Sequence, residues 1–186
     1  MATLRLIRLF FLAGGRHPGL TVTGAYRLGM DEPDVSVDTV IDAPADELYA
    51  MISDITRMGE WSPENTGAAW KGEATAAEVG ARFTGKNANG RKRWSTDCKV
   101  VEAEPGKAFA FAVTAVGFKV ATWRYVLEPA GSGTRVTEQW HDSRGAIAKA
   151  LGKPASGVAD RASHNQASME QTLANLKAAV EANTEA

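Results

Sequence analysis

The chain has 186 residues, 44% apolar and 23% charged, with 21 Lys and Arg against 22 Asp and Glu. That length fits one domain, at roughly 150 residues per domain, and such a domain buries about 70% of its unfolded surface without disulfides or metals. The net charge of −1 excludes nucleic-acid binding by bulk charge, and the single cysteine, Cys98, excludes a disulfide framework or a multi-cysteine zinc site.

The charge is unevenly spread. Residues 1–30 carry Arg5, Arg8, Arg16 and Arg27 with no acid, a charge of +4 that leaves −5 for the rest. Their apolar stretch, Leu4 to Ala13, is interrupted by Arg5 and Arg8. It is about half the ~20 residues that span a membrane, and its arginines sit where a secretory signal needs an unbroken apolar core. Residues 1–30 therefore read as a basic extension, disordered, or, over residues 1–29, outside the native protein if translation starts at Met30. Residues 31–186 read as the folded domain, expected in the cytoplasm as a monomer or homodimer. Membrane contact is expected only through the extension.

From Val35 the pattern becomes regular. Val35, Val37, Thr39 and Ile41 alternate with polar residues, as in a half-buried strand. Pro44, Asp46 and Glu47 then suit a helix N-terminus, and Leu48, Met51, Ile52 and Ile55 follow at helical spacing up to Gly59. A weak strand around Trp70 and a better one over Ala81–Asn87 lead to Asn89-Gly90, a strong hairpin signal because both residues accept positive φ. Strands follow over Arg91–Ala103, Phe109–Val116, Phe118–Leu127 and Thr134–His141, joined by short Gly- and Pro-containing turns. Such connections make an antiparallel meander. Arg144–Pro154 reads as a short helical or irregular connector. From about Val158 to Ala182, Met169, Leu173, Leu176 and Val180 recur at spacings of 4, 3 and 4, predicting an amphipathic helix of about six turns. The result is an α+β domain with a helix covering one face of the sheet.

Several segments carry a family resemblance: Ile41-Asp42-Ala43-Pro44-Ala45, Ser53 through Trp61-Ser62-Pro63, Val100 through Pro105-Gly106, and Trp123 through Glu128-Pro129. Over about Val35–Ala182 the chain resembles the START-like (SRPBCC) superfamily, and within it the bacterial polyketide cyclase/dehydrase-like proteins. The resemblance implies a helix-grip fold, in which a curved, seven-stranded antiparallel sheet wraps a long C-terminal helix around an apolar cavity. It also implies a small hydrophobic ligand, a lipid, polyketide or aromatic metabolite. Fold alone does not choose among these.

Strand parity nominates the cavity wall. Trp94, Thr96, Cys98 and Val100 share one face of their strand; Phe109, Phe111 and Val113 share another; Trp123, Tyr125 and Leu127 a third; and Val136, Glu138 and Trp140 a fourth. Phe83 is the large apolar residue of its own strand, and Trp61 is expected at the rim. On the long helix, Met169 and its neighbours Asn165 and Gln166 fall near the apolar stripe. The ligand set is thus Trp61, Phe83, Trp94, Cys98, Phe109, Phe111, Trp123, Tyr125, Glu138, Trp140, Gln166 and Met169. The loops Trp61–Gly67 and Arg144–Gly157 are expected to gate it. A buried, unpaired carboxylate is costly. Glu138 is therefore exposed at the mouth, paired with an arginine such as Arg82, or a functional acid. His164 is expected on the solvated side.

No nucleotide-binding glycine motif, nucleophile elbow or metal-spaced histidine pair occurs, so no cofactor or metal is expected. The basic cluster Lys86, Arg91, Lys92 and Arg93 reads first as a solvated hairpin tip, with contact to phosphate or anionic lipid headgroups as the lesser alternative. The leading function is binding of a small hydrophobic molecule. The alternatives are a polyketide cyclase or dehydratase in which Tyr125 and Glu138 relay protons, and a protein-interaction or toxin-type role without a ligand.

Overall fold

The computed structural model describes residues 32–184, so the expectations for residues 1–30 lie outside the described residues. Seven strands form one antiparallel sheet: β1 (Val35–Ile41), β2 (Asn65–Trp70), β3 (Arg82–Asn89), β4 (Lys92–Glu104), β5 (Ala108–Ala115), β6 (Phe118–Ala130) and β7 (Gly133–Asp142). Their order is β1-β7-β6-β5-β4-β3-β2, so the first two strands of the chain occupy opposite edges. Helix α1 (Ala45–Ser53) and a 3₁₀ turn over Ile55–Glu60 carry the chain between those edges. The meander then returns strand by strand to β1.

The local chemistry explains these elements. Pro44 caps α1, with Asp46 and Glu47 in its first turn, and Leu48, Tyr49, Met51 and Ile52 form its buried face. Asp54 accepts the Thr56 backbone N–H at 3.1 Å and so starts the 3₁₀ turn. Register shifts at Asn65/Gly67, Val100/Glu102 and Val113/Thr114 interrupt the ladders, and such bulges bend and twist a sheet. On the convex side, Glu102 and Arg124 face one another across Ala110 of the intervening strand and join through two hydrogen bonds of 2.6 and 3.1 Å. Ala110 is completely buried.

One connection differs from the sequence reading: residues expected as a loop up to Gly67 already enter β2 at Asn65. The Arg144–Pro154 connector takes the helical of its two readings, as α2 (Ala146–Ser156), with Pro154 inside it. Pro154 has no N–H to give the Ala150 carbonyl, and the helix ends two residues later. Helix α3 (Arg161–Thr184) crosses the concave face and packs on β1 and β7. Among the described residues, no helix is long and apolar enough to cross a membrane.

The core is unevenly filled. Toward the α1 end, Ile41, Leu48, Ile55, Phe109, Val136, Leu173 and Leu176 are all 0–1% exposed. That half is closed. The other half of the concave face is not.

Candidate ligand-binding cavity

Between the sheet and α3 lies a cavity of about 290 Å³. Its sheet wall is aromatic: Phe83, Trp94, Phe111, Trp123 and Trp140 all line it. Phe83 and Phe111 meet edge to face at 5.3 Å, and Trp123 and Trp140 tilt together at 6.5 Å, separations at which aromatic pairs attract. Gly85 also lines the space, and a Cβ there would stand 2.9 Å from Thr96 Oγ1. The missing side chain is part of the hollow. Helix α2 contributes Ala148, Leu151, Gly152 and Ala155, and its last residue is tied to the β3–β4 hairpin by Asn89 Nδ2 donating to the Ser156 carbonyl at 3.1 Å.

Tyr125 and Glu138 face each other across the β6–β7 ladder, and the phenol donates to Glu138 Oε1 at 2.8 Å. Glu138 is 3% exposed, and its other oxygen, Oε2, is buried with no hydrogen-bond partner among the described residues. Burial pushes its pKa up to about 8, against a smaller lowering from the Tyr125 hydrogen bond. The tyrosine is raised well above its usual range, first by burial and then by the neighbouring carboxyl. At neutral pH both groups are therefore uncharged, and the acid proton of Glu138 is available to a hydrogen-bond acceptor in the cavity.

The α3 wall is polar. Arg161, Asn165, Ser168 and Thr172 line the cavity at spacings of 4, 3 and 4, a second stripe beside the apolar one that seats the helix. Asn165 is 2% exposed, and its amide makes no hydrogen bond to another described side chain. At the helix start, Arg161 grips both Glu64 oxygens at 2.8 and 2.9 Å, His164 Nε2 meets Glu64 Oε1 at 3.0 Å, and the guanidinium lies 5.9 Å from the Trp94 ring centre. This cluster fixes the N-terminus of α3 to the start of β2.

Of the residues nominated from sequence, Phe83, Trp94, Cys98, Phe111, Trp123, Tyr125, Glu138 and Trp140 line the cavity, and four do not. Trp61 is packed in the core at 4% exposure, under the Arg57 guanidinium, with its carbonyl accepting from Asn175. The 3₁₀ turn draws it inward, and its neighbours Met58 and Ser62 reach the cavity instead. Phe109 is fully buried within the closed half. Met169 is spent on Trp140 and Ala121. Gln166 is exposed and bonded to Glu170, since one helical step carries it away from the cavity that Asn165 faces.

Three further expectations need correction. Glu138 is neither at the mouth nor paired with Arg82, which is exposed on β3 opposite Lys99. His164 is held by Glu64 rather than standing free on the solvent side. Arg144–Gly157 is mostly the helix that roofs the cavity, not a loop. Cys98 is buried at the cavity wall, with its thiol pushed up to about 11 chiefly by burial, so it stays protonated.

Comparison with known proteins fits this geometry. A family model described as polyketide cyclase/dehydrase and lipid transport matches residues 32–181. The chain belongs to this family. Among solved structures, it is similar to a polyketide cyclase-like protein from Corynebacterium glutamicum, with 31% identity over 84% of this chain and 96% of that one and a TM-score of 0.57. A protein from Mycobacterium smegmatis shares the fold at 19% identity and a TM-score of 0.55, over 80% of this chain and 90% of that one. So does the di-domain aromatase/cyclase StfQ of the steffimycin pathway, at 13% identity and a TM-score of 0.63, over 82% of this chain and 51% of StfQ. No curated protein matches. The helix-grip fold implied by the family resemblance is the fold observed.

Proposed function

We propose that the protein binds a small, uncharged, largely apolar molecule that carries a hydrogen-bond acceptor. The observation that supports this reading is the buried, unpartnered Oε2 of Glu138 in an aromatic-walled cavity. Leaving a buried polar atom unpaired costs about 1–3 kcal/mol, and a ligand oxygen accepting the acid proton removes that cost. Asn165 offers a second hydrogen bond from the opposite wall. Apolar burial supplies the rest, at about 25 cal/mol per Å² before ordering costs. A volume of about 290 Å³ is at the low end of ligand pockets, roughly 300–1,000 Å³. It suits a compact polycyclic or single-chain molecule better than a two-chain lipid. A carboxylate ligand is disfavoured, because its charge would meet an aromatic wall and an acid, and the two arginines that line the cavity, Arg144 and Arg161, are already paired with Asp142 and Glu64.

The same oxygen supports a second reading, cyclisation of a poly-β-ketone. In that reaction the enol carbon of the chain attacks one of its own carbonyl carbons, Glu138 passes its proton to the carbonyl oxygen, and the enol O–H proton returns to the carboxylate. Holding the two carbons in contact is then the larger contribution. Native mass spectrometry of gently purified protein tests binding: a bound mass of a few hundred daltons is expected, and its absence together with no response to a panel of neutral aromatic ketones contradicts it. Glu138→Gln separates the two readings. The amide still donates a hydrogen bond, so binding survives, whereas turnover of a poly-β-ketone is lost only if the acid proton is transferred.

A further inference from the structure

The cavity reaches the surface where the β5–β6 turn and α2 meet, beside the β3–β4 hairpin. Four large apolar side chains are exposed there: Val116 at 94%, Ile147 at 64%, Leu151 at 54% and Phe118 at 40%. Val116, Phe118 and Leu151 also line the cavity, so the exposed patch is continuous with its wall. Ile147 and Leu151 lie one helical turn apart on α2.

Val116 is the odd residue of this group. Its φ is +49°, followed by Gly117 at +80°, the pairing of a tight hairpin turn that prefers Asn or Asp first. A β-branched residue in the left-handed region is strained, and at 94% exposure this one recovers nothing from packing within the chain. Neither the turn nor the core accounts for a valine here.

Charge marks the same end. Lys86, Arg91, Lys92 and Arg93 on the β3–β4 hairpin and Lys119 beside Phe118 are all exposed, and none is in a salt bridge with a described residue. The nearby acids are already engaged. Glu64 is held by Arg161 and His164, Asp142 by Arg144 and Lys149, and Asp160 by Ser163 in capping α3. The opposite end of the sheet is mixed in sign, with Asp46, Glu47, Glu73, Glu78 and Glu104 standing among Arg82, Lys99 and Lys107. A domain of net charge −5 thus turns a positive, apolar-tipped face outward around its cavity mouth.

We propose that this rim docks onto an anionic lipid bilayer, with Val116, Phe118, Ile147 and Leu151 entering the headgroup layer and the hairpin cations meeting lipid phosphates. The apolar groups project from two separate convex elements, a hairpin turn and a helix. A bilayer yields to convex tips, whereas a protein partner would need a matching hollow for each. Exposed apolar groups framed by lysine and arginine are the combination that holds peripheral proteins at anionic membranes. This takes up the lesser reading of the basic hairpin against the expectation that confined membrane contact to the extension, and it does not depend on which ligand the cavity takes.

Flotation of the full chain with vesicles tests the proposal. Binding is expected to vesicles of phosphatidylcholine with phosphatidylglycerol, weakened by salt, and not to pure phosphatidylcholine. The double substitutions Val116→Asp/Leu151→Asp and Arg91→Glu/Lys92→Glu should each lower the partition coefficient about tenfold or more. Val79→Asp, 67% exposed between β2 and β3, should leave it unchanged. Unchanged melting temperatures show the variants are folded, and the charge-reversal pair serves if the apolar pair is not. Failure of the wild-type chain to float overturns the proposal. So does flotation of both folded rim variants at the wild-type level, which would assign binding to another part of the chain.

Discussion

The two halves of the concave face are built from the same strands yet do opposite things. Toward α1, Leu48, Ile55, Phe109, Leu173 and Leu176 close the space completely. Toward α2, Trp94, Trp123 and Trp140 face Asn165, Ser168 and Thr172 across an open volume. The difference comes from the cover, not the sheet. One half is filled by α1 and the apolar stripe of α3, while the other meets the polar stripe of α3 and the small residues of α2. A large-aromatic wall opposite small and polar side chains cannot interdigitate, and a cavity results.

The comparison breaks most visibly under truncation. Phe109→Ala in the closed half should cost about 3–5 kcal/mol, and Leu173→Ala about 2–5 kcal/mol, by urea unfolding. Trp94→Ala in the open half should cost about 1 kcal/mol, because its ring is only half-buried and already borders empty space. Equal losses would mean that the two halves are packed alike.

The next largest effect is electrostatic. Glu138 binds its proton more tightly folded, at about 8, than in an unfolded chain near 4.5. The folded state therefore holds the extra proton, and stability is greatest below pH 4.5 for this group and falls as pH rises toward 8, by up to about 1.4 kcal/mol per unit. Glu138→Gln should remove that slope and leave the protein more stable than wild type at pH 8. An unchanged slope would place the titration elsewhere.

Two smaller changes sharpen the contrast. Ser168→Phe puts a ring into the open half, and stability should stay within about 1 kcal/mol of wild type while ligand binding is lost; a large destabilisation would mean the space is not free. Glu64→Gln weakens the clamp on Arg161, whose pair is only partly buried, and should cost about 1 kcal/mol, seen as a small shift in melting temperature.

Period and parity made much of this legible. Alternation placed Trp94, Trp123, Tyr125, Glu138 and Trp140 on one face, because β4, β6 and β7 keep regular pairing over those residues. Trp61 failed because no periodic signal says that a 3₁₀ turn folds its last residues back under the sheet. Phe109 has the right parity but the wrong end, and parity carries no information on position along a strand. On α3 the apolar stripe is plain and places Asn165 near it, whereas Arg161, Ser168 and Thr172 repeat just as regularly but look like a solvated face until the sheet is seen to curve over them. The pairing of Glu64 with Arg161, 97 residues away, leaves no local mark.

In the proposed function, the open half takes a neutral acceptor-bearing molecule against protonated Glu138. The most direct test is a fluorescence titration with prodan, an uncharged naphthyl ketone whose emission shifts to the blue in apolar surroundings, across pH 6 to 10 (a range set about Glu138, near 8). We expect saturable one-to-one binding with a blue shift, weakening above pH 8 as Glu138 ionises, independent of pH in Glu138→Gln and absent in Ser168→Phe. No saturable binding, or binding that survives Ser168→Phe and ignores the ionisation of Glu138, would contradict the account.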